Sequence, residues 1–365
     1  MNIPQKMVAI QLIGHGDFDQ LQYRQDVNVP IPGRGEVLIK VGAAGVNNTD
    51  INTRIGWYSK SNTGNLENIS HDALAESGGN EDGDWSGAGL SFPRIQGIDI
   101  CGRIVSVGDE SLSGRIGERV LVEPCLRKPL DWKPYEAWFV GSECDGGFAQ
   151  YVKMFADHAY VVESALSDAE LASFPCSWST AENVLTRTKV KSGETVLVTG
   201  ASGGVGSAAI QLARRRGAKI IAQCGKSKAD LVLQQGASEV VDRDADLPTT
   251  LGQESVDVVI DLVAGPTWPG LLEVLKKGGR YGVAGAIGGP IVELDVRTLY
   301  LKDLSFFGCT VLEQDVFGNL LRYIENGEIS PVVSKTYPLS DIVQAQQDFI
   351  AKRHVGKLVL IPPAI

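Results

Sequence analysis

The first part of the chain consists of short apolar runs separated by turn residues. These runs end at or near glycine or proline, which is typical of β-strands. A turn sequence, Pro30-Ile31-Pro32-Gly33-Arg34-Gly35, precedes one of them, and no long amphipathic helical pattern occurs before about residue 167. The pattern predicts a β-rich first part with strands at Met7–Ile13, Glu36–Val41, Arg103–Val107 and Glu118–Val122.

From Ser167 onward, apolar runs alternate with helical periodicity. Ser167-Asp168-Ala169-Glu170 has the residues of a helix N-terminal capping box. Strands that alternate with helices predict a parallel sheet covered on both faces. The predicted strands are Glu194–Thr199, Lys219–Gln223, Glu239–Val241, Val256–Val263 and Arg280–Ala284, and the predicted helices are Val205–Arg216, Ala229–Gln235 and Leu271–Leu275. Two short helices and a last strand, Lys357–Leu360, are predicted for the tail.

The segment Gly56–Phe92 breaks this regular pattern. It is crowded with Gly, Ser, Asn and Asp and holds few aliphatic residues. A connection of this length is unusual in a compact domain, so the segment is either a functional lid or a mobile insertion. Trp57, Tyr58 and Trp85 favour some packing of its ends.

Composition excludes several function classes. The 365 residues are enough for about two domains. The 34 basic and 44 acidic residues give a formal net charge of −10, which would repel a nucleic-acid backbone. No apolar stretch reaches the roughly 18–20 residues of a membrane helix. The six cysteines include no Cys-x-x-Cys pair, which favours reduced thiols and a cytoplasmic location. A small molecule is therefore the expected partner.

One glycine-rich turn predicts dinucleotide binding. The run Val196–Ala213 reads as a strand, a tight turn and a helix, with Ala201, Gly203 and Gly206 at the positions of the dinucleotide-binding fingerprint. The N-terminus of the helix would direct unpaired N–H groups and a partial positive charge at the phosphates. The candidate cofactor-binding residues of this turn are Ala201, Ser202, Gly203, Gly204, Val205 and Gly206.

The end of the next strand indicates which dinucleotide is bound. NAD sites usually carry an acidic residue there, roughly 20 residues after the turn. This chain instead has Gly225, Lys226, Ser227 and Lys228. The missing acid and the two lysines favour the 2′-phosphate of NADP(H). Alternatively, both lysines are simply solvated.

Several further motifs give the chain a resemblance to a known family. They are Gly45–Asp50, Phe92–Gly102, Arg115–Val120, Asp145–Ala149 and His354–Leu360. With the glycine turn, they resemble the medium-chain dehydrogenase/reductase superfamily, which includes zinc alcohol dehydrogenases and zinc-independent quinone oxidoreductases.

The resemblance implies an α/β fold with two domains. A GroES-like β-rich catalytic domain would take residues 1–164 and 312–365, including the polar insertion 56–92. A Rossmann domain with a doubly wound parallel sheet would take residues 165–311. The resemblance also implies a homodimer joined through the Rossmann sheet edge near 299–310, where Leu304-Ser305-Phe306-Phe307 is apolar enough to need covering.

The resemblance does not extend to the metal ligands. Zinc members of the superfamily bind the catalytic ion through a Cys two residues before a Ser/Thr-Asp pair, a His in a Gly-His-Glu segment and a later Cys. Here Asn47 and Ile98 stand at the first two positions, and only Cys176 remains. Because a catalytic zinc needs three protein ligands, we expect none. The segment of the structural zinc lobe keeps only two of four cysteines, Cys125 and Cys144.

These observations predict the NADPH-dependent reduction of a quinone, an enone or another activated carbonyl without catalytic zinc. Thr49 takes the place of the proton-relay hydroxyl of zinc members, and Asn48 and Tyr58 are further catalytic candidates. The resemblance implies additional cofactor contacts at Thr180, Val263, Ala284, Gly285, Ala286 and Lys357. Two alternatives stay open: a zinc-type alcohol or aldehyde dehydrogenase with altered ligands, and a non-catalytic NADPH-binding redox sensor.

Overall fold

The structure, a computed structural model, describes residues 3–60, 62, 63 and 89–364, and these form two compact units. The first unit takes residues up to Asn62, residues 89–176 and the chain from Pro331 onward; the second takes Thr63 and Ser177–Ser330. The predicted domain ranges stay a prediction, and the segment 312–330 lies in the second unit. It is held there by the Asn183 side chain, which bonds to Val311 and Glu313.

The first unit is built around a sheet in the order β16-β17-β3-β4-β5-β9, with β8 paired to β3. Two small two-stranded sheets, β1-β2 and β6-β7, accompany it. The strands are β1 (Lys6–Leu12), β2 (Leu21–Asn28), β3 (Glu36–Gly45), β4 (Cys101–Val107), β5 (Arg119–Val122), β6 (Cys125–Leu126), β7 (Trp138–Phe139), β8 (Tyr151–Phe155), β9 (Ala159–Val161), β16 (Val333–Pro338) and β17 (Lys357–Ile361). The helices are α1 (Asn48–Arg54), α2 (Asp168–Leu171) and α10 (Ile342–Ile350).

The predicted β-rich character of this part of the chain is confirmed. The predicted strands correspond to β1, β3, β4 and β5, and the last strand corresponds to β17. Strand β2 was missed because most of its side chains are exposed, so it lacks the apolar alternation of a half-buried strand.

The second unit is a parallel six-stranded sheet in the order β12-β11-β10-β13-β14-β15, which is the doubly wound order 3-2-1-4-5-6. Its strands are β10 (Thr195–Val198), β11 (Lys219–Cys224), β12 (Glu239–Asp242), β13 (Val256–Asp261), β14 (Leu275–Val283) and β15 (Ser305–Gly308). Its helices are α3 (Pro175–Arg187, which begins at the end of the first unit), α4 (Gly204–Arg215), α5 (Ala229–Gln234), α6 (Leu247–Leu251), α7 (Trp268–Val274), α8 (Val296–Leu301) and α9 (Val316–Glu325).

The predicted helix Leu271–Leu275 is wrong in its limits. The helix begins at Trp268, because Pro269 fits the first turn, and it ends at Val274. The following strand starts at Leu275 rather than at Arg280, and its pairing with β13 contains a bulge. The Gly278-Gly279 pair therefore lies inside an irregular strand.

The apolar side chains of the central strands in the second unit are completely buried, and this holds the strand ends in place. Val196 and Val198 on β10, and Val258 and Ile260 on β13, are completely buried. Such continuous apolar strands are typical of a parallel sheet covered on both faces. The ends of these strands, where ligands bind in this fold, are therefore held by a packed interior.

In the described part of the chain, no helix is both long and apolar enough to cross a membrane. All six cysteines are described, and none of them forms a disulfide bond. Most of the predicted insertion Gly56–Phe92, including Trp85, lies outside the described residues. The choice between a lid and an insertion therefore stays open.

Candidate active site

The predicted phosphate-binding turn joins the end of β10 to the start of α4. Gly200 has a φ of +58°, a left-handed conformation that glycine adopts without strain. A Cβ at Gly206 would lie 2.4 Å from the Gly200 carbonyl oxygen, so only glycine allows the helix to pack this closely. At Gly203, the atom nearest to a Cβ is the same oxygen at 3.5 Å. The helix N-terminus is thus accessible to a pyrophosphate, and the turn fits a dinucleotide.

The structure brings most predicted cofactor residues to one edge of the second unit. The carboxyl ends of β10, β11, β13 and β14 lie side by side there. The Ala201 N–H donates to the Gln223 carbonyl at the end of β11 (3.1 Å), and the Ala284 N–H donates to the Asp261 carbonyl at the end of β13 (3.1 Å). The turn residues 201–206, residues 225–228, Val263 and residues 284–286 follow these strand ends. Thr180 lies half-buried on α3.

A buried carboxylate beneath this edge was missed by the sequence analysis. Asp261, which is fully buried at the end of β13, accepts hydrogen bonds from the Thr199 hydroxyl (2.6 Å) and the Tyr281 phenol (2.7 Å). It also accepts the N–H groups of Val263 (2.9 Å) and Ala264 (3.1 Å). The carboxylate therefore fixes the loop after β13 against the glycine turn. An acidic residue that ends an apolar strand was the available signal.

The second strand end carries the predicted cations. Lys226–Lys228 forms a single 3-10 turn directly after β11. Burial lowers the pKa of Lys228, and the nearby Arg243 guanidinium acts in the same direction. Arg243 follows β12, and its backbone bonds to Cys224 and Gln223 at the end of β11. The like charges of Lys228 and Arg243 favour the binding of an anion at this position. Arg243 was not among the candidates predicted from the sequence.

Two catalytic candidates lie together in the first unit. The Thr49 hydroxyl on α1 is hydrogen-bonded to the Tyr58 phenol, and the Asn52 side-chain amide donates to the same phenol oxygen at 3.4 Å. Burial raises the pKa of Tyr58 to about 12, although both hydrogen bonds act in the opposite direction. Tyr58 therefore keeps its proton at neutral pH. The third candidate, Asn48, accepts a hydrogen bond from the Lys352 ammonium (3.0 Å).

Lys357 does not have the accessible environment that the predicted cofactor contact needs. Its side chain is only 3% exposed, and its ammonium donates to Asn47 Oδ1 (2.6 Å) and Asp99 Oδ2 (2.7 Å). The Asn47 amide also donates to Asp99 Oδ2 (2.8 Å), and the Cys176 N–H donates to Asp99 Oδ1 (2.6 Å). The ammonium is thus held in a buried network of the first unit, which the prediction did not foresee.

A second carboxylate is buried beside this network. Asp50 accepts the N–H groups of Asn47 (2.8 Å) and Gly97 (3.2 Å). Burial raises the pKa of Asp50 to about 7, although these N–H groups and the Lys357 ammonium favour its charged form. These bonds connect the N-terminus of α1, which carries Thr49, to the segment around Asp99.

The segment that corresponds to the structural zinc lobe of the resemblance is packed around a buried histidine. His158 and Glu123 are almost fully buried and are joined by a 2.8 Å bond from Nδ1 to a carboxylate oxygen. The Lys128 N–H donates to His158 Nε2 (3.2 Å), so that nitrogen is an acceptor and the proton is on Nδ1. Trp132 stacks on the imidazole, with ring centroids 5.3 Å apart.

The doubly wound sheet with its glycine turn defines a Rossmann dinucleotide-binding unit. Together with a β-rich unit that carries paired hydroxyls, it defines a class of nicotinamide-dependent oxidoreductases.

Comparison with known proteins identifies the family. Residues 33–164 match the family described as "Alcohol dehydrogenase GroES-like domain", and residues 204–326 match "Zinc-binding dehydrogenase". The chain is 30% identical to a quinone oxidoreductase of Rattus norvegicus, over 97% of this chain and 98% of the relative. It is 29% identical to an NAD-dependent alcohol dehydrogenase of Saccharolobus solfataricus, over 98% and 100%. The chain therefore belongs to the medium-chain dehydrogenase/reductase superfamily.

The solved structures agree with this assignment. A putative alcohol dehydrogenase from Sinorhizobium meliloti 1021 is 46% identical and gives a TM-score of 0.87, over 99% of this chain and 98% of that chain. These findings confirm the predicted resemblance and fold class, a GroES-like unit with a Rossmann unit. They also establish the chain as an oxidoreductase of a superfamily that binds nicotinamide cofactors.

The residues at the catalytic-zinc positions do not fit a zinc ion. The Asn47 amide oxygen accepts a hydrogen bond from Lys357, and its amide N–H donates to Asp99. The Ile98 side chain has no atom that could bind a metal ion. Both oxygens of Asp99 already accept hydrogen bonds. Among the described residues, no three His, Cys, Asp or Glu side chains form a group that could hold a metal ion. No chemical step is therefore assigned to zinc in this chain.

Proposed function

We propose that this protein is an NADPH-dependent oxidoreductase that reduces a quinone, an enone or another activated carbonyl without catalytic zinc. The observation that carries the proposal is the Thr49–Tyr58 hydroxyl pair. It lies next to a network in which Asn47, at the first zinc-ligand position, is bonded to the Lys357 ammonium and is not available to a metal. A conjugated acceptor suits such a site, because its activation does not require a Lewis acid.

The hydroxyl pair supplies hydrogen-bond donors for the substrate. Tyr58, with its pKa raised to about 12, stays protonated at neutral pH and is able to donate to an oxygen that gains negative charge. Thr49 and Asn52 orient the phenol through their hydrogen bonds. Bound NADPH would supply the hydride.

Three groups support a preference for NADPH over NADH. Lys226, Lys228 and Arg243 follow the ends of β11 and β12, where a dinucleotide places its adenosine ribose in this fold. The similar NAD-dependent alcohol dehydrogenase makes NADH the alternative to test.

Turnover tests the proposed reaction. Purified protein is given NADPH or NADH with a panel of quinones, enones and aldehydes, and the loss of absorbance at the nicotinamide band is followed. We expect NADPH oxidation with quinones or enones that is unaffected by a strong chelator. Turnover of alcohols or aldehydes that requires added Zn²⁺ would support the zinc-type dehydrogenase instead. Cofactor binding without any turnover would support the redox sensor.

Tyr58→Phe tests the hydroxyl pair. We expect kcat to fall at least tenfold, with little change in the Kd for NADPH, because the variant loses a donor to the substrate but no cofactor contact. Tyr23→Phe, on the exposed part of β2, is the matched control and should leave kcat unchanged. An unchanged kcat in Tyr58→Phe would remove Tyr58 from the reaction.

Lys228→Glu tests the choice of cofactor. A carboxylate here would repel the 2′-phosphate, so we expect KM for NADPH to rise at least tenfold while KM for NADH stays similar or falls. Lys219→Glu, exposed at the opposite end of the same strand, controls for the change in net charge. An equal rise for both cofactors would contradict specific recognition of the phosphate.

Assembly and location complete the proposal. We propose a homodimer that covers the edge strand β15 and its apolar neighbours, which is tested below. A cytoplasmic location is supported by six cysteines that stay unlinked by disulfide bonds.

A further inference from the structure

A cavity of about 390 Å³ lies in the second unit, at the amino ends of strands β10, β13 and β14. Its lining comes from the segments 189–194 and 276–280 and from Asp257. The glycine turn follows the carboxyl end of β10, so the cavity and the turn lie at opposite ends of the same strand. Cavities of this volume commonly hold small ligands. This amino-end cavity is therefore a candidate for a second binding site.

The charges that line the amino-end cavity are unequal. Five side chains are basic and two are acidic. Both carboxylates already have a basic partner, because Asp257 is paired with Lys276 (2.9 Å) and Glu194 with Arg280. The lining therefore has a surplus of three positive charges, although the whole chain has a formal net charge of −10.

The surplus belongs to three exposed lysines, Lys189, Lys191 and Lys277. Within the part of the chain that the structure describes, their ammonium groups form no hydrogen bond and no ion pair. The backbone at Lys189 is fixed, since its carbonyl accepts a hydrogen bond from Arg280 (2.9 Å). Like charges around one cavity repel each other, so an anion that binds between them is stabilised by all three.

The donors that remain free favour phosphate over a carboxylate. One terminal nitrogen of the Arg280 guanidinium donates to the carbonyls of Thr188 and Lys189 (2.9 Å each), and the other donates to Glu194. The planar fork of this arginine is thus not available for the bidentate contact that suits a carboxylate. Lysine ammonium groups act as point charges, and several of them are able to surround a tetrahedral phosphate.

We propose that the amino-end cavity binds a compact anion with several linked phosphate groups. This chemistry is shared by inorganic oligophosphates and by the phosphate chain of a nucleoside triphosphate. A single phosphate group carries about two negative charges at neutral pH, which is fewer than the three surplus charges of the lining, whereas a chain of phosphates carries more. Because the cavity lies at the other end of β10 from the glycine turn, its ligand does not compete with the nicotinamide cofactor.

Calorimetry tests the kind of ligand. Purified protein, with and without excess NADPH, is titrated at low ionic strength with tripolyphosphate, ATP and inorganic phosphate. We expect tripolyphosphate or ATP to bind at least tenfold more tightly than inorganic phosphate, and to bind equally well with NADPH present. Tighter binding of tripolyphosphate would identify an inorganic chain as the ligand, and tighter binding of ATP would identify a nucleotide.

A triple variant tests the place of binding. Lys189→Gln/Lys191→Gln/Lys277→Gln removes the surplus charge but keeps polar side chains of similar size at exposed positions. We expect the Kd for the tighter of the two ligands to rise at least tenfold, because the attraction of the lining for an anion is lost. The midpoint of thermal unfolding, measured in parallel, should stay as it is in the unchanged protein.

A matched control removes the same number of charges elsewhere. Lys6→Gln/Lys133→Gln/Lys335→Gln changes three exposed lysines of the first unit and should leave the Kd unchanged. Equal losses of affinity in the two triple variants would show that only the net charge matters, and this would overturn the proposal.

Two further results would also overturn it. The unchanged protein would bind neither tripolyphosphate nor ATP, or NADPH would abolish their binding and thereby place the anion at the glycine turn. Because every readout is a binding constant and the variants lie away from the cofactor turn, the outcome is separate from that of the proposed reductase activity.

Discussion

At the scale of single residues, the first unit concentrates buried charge around one lysine. Asp50, Asp99 and Lys357 are nearly inaccessible, and backbone N–H groups supply hydrogen bonds to both carboxylates. Burying a charge is unfavourable unless it is paired and hydrogen-bonded. Asp99 satisfies both conditions through direct contact with Lys357, whereas Asp50 depends on N–H donors and a more distant charge. This difference makes Asp50 sensitive to pH.

Asp50→Asn is expected to change how stability depends on pH. The folded-state pKa of about 7 lies above the ordinary pKa near 3.9, so the folded protein binds the proton more tightly than the unfolded chain does. The stability that Asp50 contributes therefore falls as pH rises from about 4 to 7. The midpoint of thermal unfolding should drop less over this range in Asp50→Asn than in the unchanged protein.

The exposed Asp109 provides the control. Its pKa is lowered, first of all by the Ser111 hydroxyl, so any stability that it contributes is lost only on acidification. Asp109→Asn should leave the pH dependence above about pH 5 as it is. Identical slopes in Asp50→Asn and the unchanged protein would show that Asp50 does not titrate in this range.

At the scale of elements, two glycines of one turn have different physical tasks. Gly206 allows the close packing of α4 on the end of β10, whereas Gly203 has room for a methyl group. The backbone of Gly203, with φ −77°, also suits alanine. The fold therefore requires glycine at Gly206, whereas at Gly203 we expect the requirement to come from the ligand.

Two alanine variants separate these tasks. Gly206→Ala should lower the thermal unfolding midpoint by several degrees, because its Cβ would lie 2.4 Å from a carbonyl oxygen and the helix must shift. Gly203→Ala should keep that midpoint but weaken NADPH binding at least tenfold, measured by calorimetry. Normal NADPH affinity in Gly203→Ala would mean that the pyrophosphate does not approach there.

At the scale of the whole molecule, the second unit ends in an edge strand that is not protected by charge. β15 pairs only with β14 in the described sheet, and Phe306 on it is 37% exposed. Further large apolar side chains are exposed just before it in the chain: Ile291, Val296, Tyr300 and Leu301. An apolar edge of this kind favours association with a second copy of the chain.

The double variant Tyr300→Glu/Leu301→Glu tests the proposed homodimer. Two carboxylates on this face should shift the protein from dimer to monomer in sedimentation experiments at micromolar concentration. Ile31→Glu, at an exposed position of the first unit, should leave the dimer intact. A monomer in the unchanged protein would contradict the prediction directly.

Local patterns predicted much of this molecule. The β-rich first part, the alternating second part and the glycine turn depend on residues that are neighbours in the chain. The predicted limits of α7 and the predicted start of β14 were wrong, because glycine has the same local signature after a helix as it has inside an irregular strand. Strand β2 was missed because its polar residues carry no burial pattern.

The amino-acid sequence by itself determined the class of fold and the chemistry of the cofactor turn, because both follow from spacing within short segments. Only the tertiary structure decided the role of Lys357, whose partner Asp99 is 258 positions away in the chain. It likewise joined Thr199 to Asp261 and Thr49 to Tyr58. Burial and ion pairing are properties of the packed interior. No local sequence pattern shows which distant side chain will pair with a buried charge.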